Sequence, residues 1–261
     1  MPKDCFMEAG KLSQMLDGIV VPSQASRAVL GEQGFGTNGS RPEIRVIPHG
    51  IGPFLTGVAD EPSVLSKICP REGCKLILCP SRVDEHKDVE TFVEAAAQIK
   101  AAEPEMDLLF VIASHATDAQ HEKVRKRAVD LGLIEERDVI FQDFLYKEMA
   151  TVYRYAHVSV VPSRHESFGL TILESFLFGV PVVAANTSAL REIVNNGANG
   201  LLFTDGAPSD LASQILRVLR DEELREVLKE GGRAAMHETG RYSSTAMVQA
   251  YETFYESILG A

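Results

Sequence analysis

Apolar residues fall in short unbroken runs separated by amphipathic stretches. The runs are Lys75-Leu-Ile-Leu-Cys-Pro80, Asp107 to Ser114, Val139-Ile-Phe141, Val158-Ser-Val-Val161 and Pro181-Val-Val-Ala-Ala185. They are apolar at successive positions instead of alternating, which marks strands buried on both faces. Between them, Asp88 to Ala101 sets Val89, Phe92, Val93 and Ala96 on one face of a helix, and Asp118 to Leu131 is a helix charged on its outer side. Further helices are predicted over Lys147 to Tyr155, Leu170 to Phe178 (stopped by Gly179 and Pro181) and Ala189 to Asn195. A last short strand follows at Gly200 to Phe203, then helices near 208–220, 222–237 and 243–259. Strands and helices in this alternation predict an α/β fold with a doubly wound, Rossmann-like parallel sheet.

The N-terminal part is read with the same rules. Residues 1 to 16 look like the end of a polar helix, Gly18 to Pro22 and Ile44 to Ile47 like strands, and Gln24 to Gly34 like a helix capped by Ser23. Residues 48 to 70 read as a connector with a short helix near Ser63 to Lys67.

The chemistry concentrates where two strands end. Pro162-Ser-Arg-His-Glu166-Ser-Phe-Gly169-Leu-Thr-Ile-Leu-Glu174 is the turn from a buried strand into a helix. Ligands of open α/β sheets lie at such turns, and a helix start offers unpaired N–H groups and positive dipole charge to a phosphate. Ser167 is read as the N-cap, and Gly169, lacking a Cβ, lets the backbone approach a ligand. Glu166 stands at the mouth. Glu174 follows about 12 Å along the helix axis, so each carboxylate is free to hold a different hydroxyl-bearing end of one long ligand, as in a nucleotide sugar. The other reading is an ordinary strand-to-helix turn with a solvated Glu166.

A second loop carries matching chemistry. After strand 75–80 comes Ser81-Arg82-Val-Asp-Glu-His-Lys87, two cations just ahead of a helix. An arginine fork and a lysine point charge suit a diphosphate gripped from two sides. Alone, the loop could equally be a surface turn with solvated charges.

Bulk properties narrow the class. The chain has 261 residues, 45% hydrophobic and 24% charged, with a formal net charge of −11. That charge argues against a nucleic-acid partner, which needs a basic face. No signal-like or membrane-spanning apolar run appears, so a cytoplasmic location is expected, with contact to a membrane surface left open. The four cysteines, Cys5, Cys69, Cys74 and Cys79, form no C-x-x-C pair and read as reduced thiols.

Arg82 with Lys87, Glu166-x7-Glu174 around Ser-Phe-Gly-Leu, Gly179-x-Pro-Val-Val and Glu192-x4-Gly197-x2-Gly200 resemble the donor half of a GT-B glycosyltransferase. The likeness is to the retaining family that includes sucrose and glycogen synthases (family GT4), and it runs from about Asp17 to the end. It implies a C-terminal half of GT-B: residues 1–52 as a remnant of the N-terminal acceptor domain, 53–240 as the donor-binding domain and 241–261 as a crossover helix. It implies that Arg82 and Lys87 bind the diphosphate and neutralise the leaving group, with Ser81 beside them. The amides of Phe168, Gly169 and Leu170 would hold the distal phosphate or sugar. Glu166 would contact donor hydroxyls near the reacting carbon, and Glu174 the ribose. No cofactor or metal is expected; the donor is a nucleoside-diphosphate sugar.

The sequence departs from that pattern. Ser81 and Asp88 stand where the family often has glycine. Ala113-Ser-His115 replaces a glycine-rich turn, and Gln142-Asp-Phe144 lacks the usual glycine, on the side where the nucleobase would lie. The expected acceptor domain is mostly missing, so a separate N-terminal domain or partner subunit is implied. A binding module without turnover of its own stays open as the alternative, as does an epimerase or phosphorylase on a similar fold. His165 is read as a loop residue shaping the pocket. Tyr242, Tyr251, Phe254 and Tyr255 are read as packing residues of the last helix.

Overall fold

A computed structural model describes residues 15–35, 42–52, 56–68, 71–114, 119–237 and 240–260. Residues 1–14 of the expected first helix, with Cys5, Cys69 and His115, lie outside them. The chain divides into two compact units, one taking the residues up to Ile51 and those from His237 on, the other Gly52–Met236.

In chain order the elements are β1 Gly18–Val21, α1 Gln24–Glu32, β2 Glu43–Val46, α2 Pro62–Ile68, β3 Lys75–Cys79 and α3 Val89–Ala102. Then come β4 Leu108–Ala113, α4 Ala119–Asp130, β5 Val139–Gln142, α5 Met149–Tyr155, β6 Ala156–Val161 and α6 Leu170–Leu177. The chain closes with β7 Val182–Ala185, α7 Leu190–Ile193, β8 Leu201–Phe203, α8 Pro208–Arg220, α9 Glu222–Ala235 and α10 Ser244–Leu259.

In the larger unit six strands form one parallel sheet in the order β5-β4-β3-β6-β7-β8. The apolar runs are buried on both faces, as their lack of alternation requires. Leu76, Leu78, Leu109, Val111 and Ile140 share one core with Val64 and Ile68 of α2 and Val152 and Tyr153 of α5. The intervening residues point the other way, where Phe92 of α3 meets Phe110 edge-on at 5.9 Å between ring centres. The chain winds outward from β3 through β4 to β5, then returns to β6 beside β3 and winds in the opposite direction. β3 and β6 therefore flank the point where the order reverses, the place where sheets of this kind open a crevice.

Element ends differ from expectation for local reasons. The helix expected from Lys147 starts at Met149 because Glu148 is used otherwise: its Oε2 accepts from the Leu145 N–H at 2.7 Å and its Oε1 pairs with Lys67 at 2.8 Å. The helix expected over 189–195 spans only Leu190–Ile193, with Val194 already extended.

In the smaller unit β1 and β2 pair in parallel, Gly18 opposite Glu43. Ser23 caps α1 by accepting from the Ser26 N–H at 3.0 Å, and Ser243 caps α10 by accepting from Ala246 at 3.1 Å. Of the aromatic residues expected to pack, Tyr242 and Phe254 are buried, whereas Tyr255 is 55% exposed. Tyr242 precedes α10, and the helical spacing spreads Tyr251, Phe254 and Tyr255 around it, so only one side finds a core.

Candidate functional site

The loop after β3 and the loop after β6 are bonded to each other. Asp84 Oδ1 accepts from the N–H groups of His86 and Lys87, each at 3.0 Å, and so folds the first loop on itself. The His86 carbonyl then accepts from the Arg164 N–H at 2.8 Å. Lys87 reaches across to Glu166, Nζ to Oε1 at 2.5 Å, with both side chains less than a fifth exposed. Asp88 takes a left-handed backbone, φ 47°, at a position where glycine would be unstrained. Its carboxylate is used twice, by Thr91 Oγ1 at 2.7 Å and Arg164 Nε at 3.0 Å.

The second loop is held from behind. The Glu166 N–H donates to Ser188 Oγ at 3.0 Å, and Thr187 Oγ1 donates to the Ser163 carbonyl at 2.9 Å. The N-cap position of α6 is Gly169, with φ 110° and no side-chain cap, so Ser167 is not the cap. The turn needs a residue that accepts a left-handed backbone immediately before the helix, which a serine cap, with its extended backbone, cannot supply. A Cβ on Gly169 would lie 2.9 Å from Leu190 Cδ2, so glycine is also required by packing against α7.

A cavity of about 370 Å³ opens at the carboxyl ends of β3, β4 and β5, lined among others by Arg82, Ser114, Asp143, Tyr146, Thr171 and Glu174. Arg82 and Glu174, 92 positions apart by their numbers, thus share one cleft. Ser114 Oγ accepts from the Val83 N–H at 3.1 Å and fixes the start of the Arg82 loop. The Arg82 side chain is three-quarters exposed, and its ion pair with Asp84 is a long 3.8 Å contact.

Glu174 sits against two phenols. Tyr153 OH donates to Oε2 at 2.8 Å, and Tyr146 is also bonded to this carboxylate. Burial pushes the Glu174 carboxyl above its ordinary value of 4.5, although both phenols pull it down. The folded protein therefore binds this proton more tightly than the unfolded chain. Ionising Glu174 costs stability as pH rises from 4.5 through the folded value, and the cost is complete above it. Glu174→Gln is expected to stabilise the protein at about pH 7 and to leave it unchanged at about pH 4. Urea denaturation at both pH values checks this; equal effects at both would refute it.

The structure brings Arg82 and Glu174 to one cavity and joins Lys87 to Glu166, which do not line it, in the two loops after β3 and β6. Phe168 is buried, while Ser167 and Leu170 are exposed at the start of α6. Ser81 is buried near the Cys79 thiol and does not line the cavity. Burial pushes that thiol up to about 12. Sequence reasoning missed Tyr146, Tyr153, Asp88 and Ser188. Tyr153 lies on the apolar face of α5 and reads as core; nothing local announces its bond to Glu174. His165 meets His86 edge-on, ring centres 5.7 Å apart. Among the described residues no group of three or more His, Cys, Asp or Glu is placed to hold a metal ion, and no helix is long and apolar enough to cross a membrane.

The chain is similar to several known proteins. A D-inositol 3-phosphate glycosyltransferase of Acidothermus cellulolyticus is 34% identical over 201 residues, 74% of this chain and 44% of that protein. The chain thus spans about half the length of the curated relatives it matches. A sucrose-phosphate synthase from Thermosynechococcus elongatus superposes with a TM-score of 0.78 at 25% identity, covering 99% of this chain and 62% of that one. An Anabaena protein crystallised with UDP and glucose superposes with a TM-score of 0.80 at 22% identity over 100% of this chain and 68% of that one, a likeness of fold. Residues 65–235, which hold both loops and the whole six-stranded sheet, match the family model of glycosyl transferases group 1, and the chain belongs to that family, with the GT-B type of fold.

Proposed function

We propose that this chain is the donor-binding part of a retaining glycosyltransferase that takes a sugar from a nucleoside diphosphate. One observation carries the reading: the two loops carrying the Arg82/Lys87 pair and the Glu166/Glu174 pair follow the neighbouring strands β3 and β6, and Lys87 spans the gap between them. In this reading the ribose hydroxyls meet Glu174, oriented by Tyr153. The diphosphate lies between Arg82, Lys87 and the first amides of α6, where the helix dipole favours negative charge.

The Lys87–Glu166 pair gives the site a way to arm itself. An arriving phosphate competes for the ammonium, and Glu166 is released toward the hydroxyls of the donor sugar. Charge building on the departing diphosphate is met by fixed cations and the helix start, so these groups act mainly in the transition state. Retention of configuration, freedom from a metal and a cytoplasmic setting belong to the same proposal. D-inositol 3-phosphate, the compound in the relatives' name, is one candidate acceptor. Because the chain spans 44% of that relative, a second reading has these residues bind donor and leave acceptor capture to another domain or subunit.

A melting experiment with UDP, GDP and ADP tests the proposal. Ligand at a hundred times Kd stabilises the native state by about 2.7 kcal/mol, so at least one of the three should raise Tm clearly. No rise with any of them at millimolar concentration would contradict donor binding.

A further inference from the structure

The edge of the sheet opposite the candidate site carries a second charged cleft. It lies where α5 enters β6 and where the Gly179 turn enters β7, at the amino ends of these strands. Its volume is about 270 Å³, and it is lined by Arg154, His157, Gly179, Arg225, Lys229 and Arg233 among others, with no carboxylate among its described lining residues. In a chain of net charge −11, a cleft lined by four cations and no acid is a local reversal of sign.

The sequence builds this reversal. Arg225, Lys229 and Arg233 recur every four residues and form one row along α9. Each is paired with the glutamate three residues earlier: Arg225 with Glu222, Lys229 with Glu226 at 2.6 Å, Arg233 with Glu230 at 2.5 Å. The first two pairs are arranged asymmetrically. Arg225 and Lys229 are 23% and 26% exposed, whereas Glu222 and Glu226 are 67% and 48% exposed, so these bases face the cleft and their acids face water; Arg233 and Glu230 are both largely exposed. Solvated pairs of this kind contribute little to stability and yield easily to another anion.

The opposite wall is rigid. Arg154 is held by Asp60 at 2.7 Å and by the carbonyls of Thr56 and Val58, and lies 5.5 Å from the Phe178 ring centre. Gly179 lets the Arg233 guanidinium close in, since a Cβ there would stand 2.8 Å from its terminal nitrogen. Burial lowers the His157 pKa, and the nearby charges of Arg225 and Lys75 lower it further, as a positive field would.

We propose that this cleft binds a compact phosphate-bearing anion, held between Arg154 and the Arg225-Lys229-Arg233 row, at a site separate from the donor cavity. The phosphate group belongs either to a free metabolite or to a lipid headgroup; both present the same oxygens to the same forks.

Calorimetry with inorganic pyrophosphate tests the site in full-length protein carrying Arg82→Ala and Lys87→Ala, which removes the proposed donor grip. Binding should persist with one site per chain. Adding Arg225→Gln and Lys229→Gln should weaken it by at least about tenfold. Glu226→Gln, an exposed change that frees Lys229, should tighten it and does so in otherwise wild-type protein if the combined variant folds poorly. Flotation with phosphatidylcholine vesicles containing phosphatidic acid separates the sources. Vesicle binding lost in Arg225→Gln/Lys229→Gln assigns a lipid phosphate, and pyrophosphate binding without vesicle binding assigns a free one. Absence of pyrophosphate binding, or binding indifferent to the α9 substitutions, overturns the proposal.

Discussion

Replacing Arg82 and Lys87 together by alanine is expected to weaken nucleoside-diphosphate binding more than a hundredfold. A hydrogen bond to a charged group contributes roughly 1.5–3 kcal/mol, so removing two costs about 3 kcal/mol or more, and each 1.4 kcal/mol is tenfold in Kd. A further penalty comes from Glu166. Its carboxylate is paired with Lys87 at 2.5 Å and only 16% exposed, so the double variant leaves it uncompensated beside the incoming phosphate. The single variants should separate the two roles. Arg82 is 75% exposed, so Arg82→Ala should lower affinity with little change in Tm. Lys87→Ala should lower both. Calorimetry with the nucleotide that stabilises best provides the measurement; a double variant within tenfold of wild type would count against the diphosphate grip.

The largest expected loss of stability in the site region comes from Gly169→Ala, about 3 kcal/mol. Two terms combine. A left-handed backbone costs a non-glycine residue roughly 1–3 kcal/mol, and Gly169 has φ 110° and ψ 54°. The new Cβ would stand 2.9 Å from Leu190 Cδ2, in a fully buried side chain that cannot swing out to solvent, and overpacking of this kind costs roughly 1–3 kcal/mol. Gly197→Ala is the internal control. Its φ is 81°, but nothing lies within 4 Å of the added Cβ, so only the backbone term applies. Urea denaturation should rank Gly169→Ala well above Gly197→Ala in cost. Equal losses would mean that α7 repacks freely and that the α6 start is less rigid than described. Because Gly169 sets where the first amides of α6 point, its substitution should also weaken nucleotide binding at temperatures where the protein stays folded.

The sheet was legible because its signal is local. Short uninterrupted apolar runs such as Leu108–Ile112, alternating with amphipathic helices, point to strands covered on both faces and so to the parallel doubly wound class. The pairing of the two charged loops was legible only through topology: once β3 and β6 are the neighbours at the reversal, the loops after them must meet. What could not be read depends on contacts between residues remote in sequence. Tyr153 has the spacing of a core residue and serves both as core and as the partner of Glu174, 21 positions away. The role of Asp88 was hidden because φ 47° is a property of the finished turn. Ser167 and Ser81 have the chemistry of a cap and of a ligand contact, but backbone conformation gave the cap position to Gly169, and the finished loop buries Ser81. The basic row on α9 was not read from the sequence, because which member of each ion pair faces inward is set by packing.

The most direct test of the central claim is a crystal structure of this chain with a bound nucleoside diphosphate. The account predicts the diphosphate between the Arg82 and Lys87 side chains and the amides of Phe168, Gly169 and Leu170, the ribose on Glu174, and Lys87 drawn off Glu166. A diphosphate bound elsewhere, with the Lys87–Glu166 pair intact and Arg82 still in solvent, would contradict it.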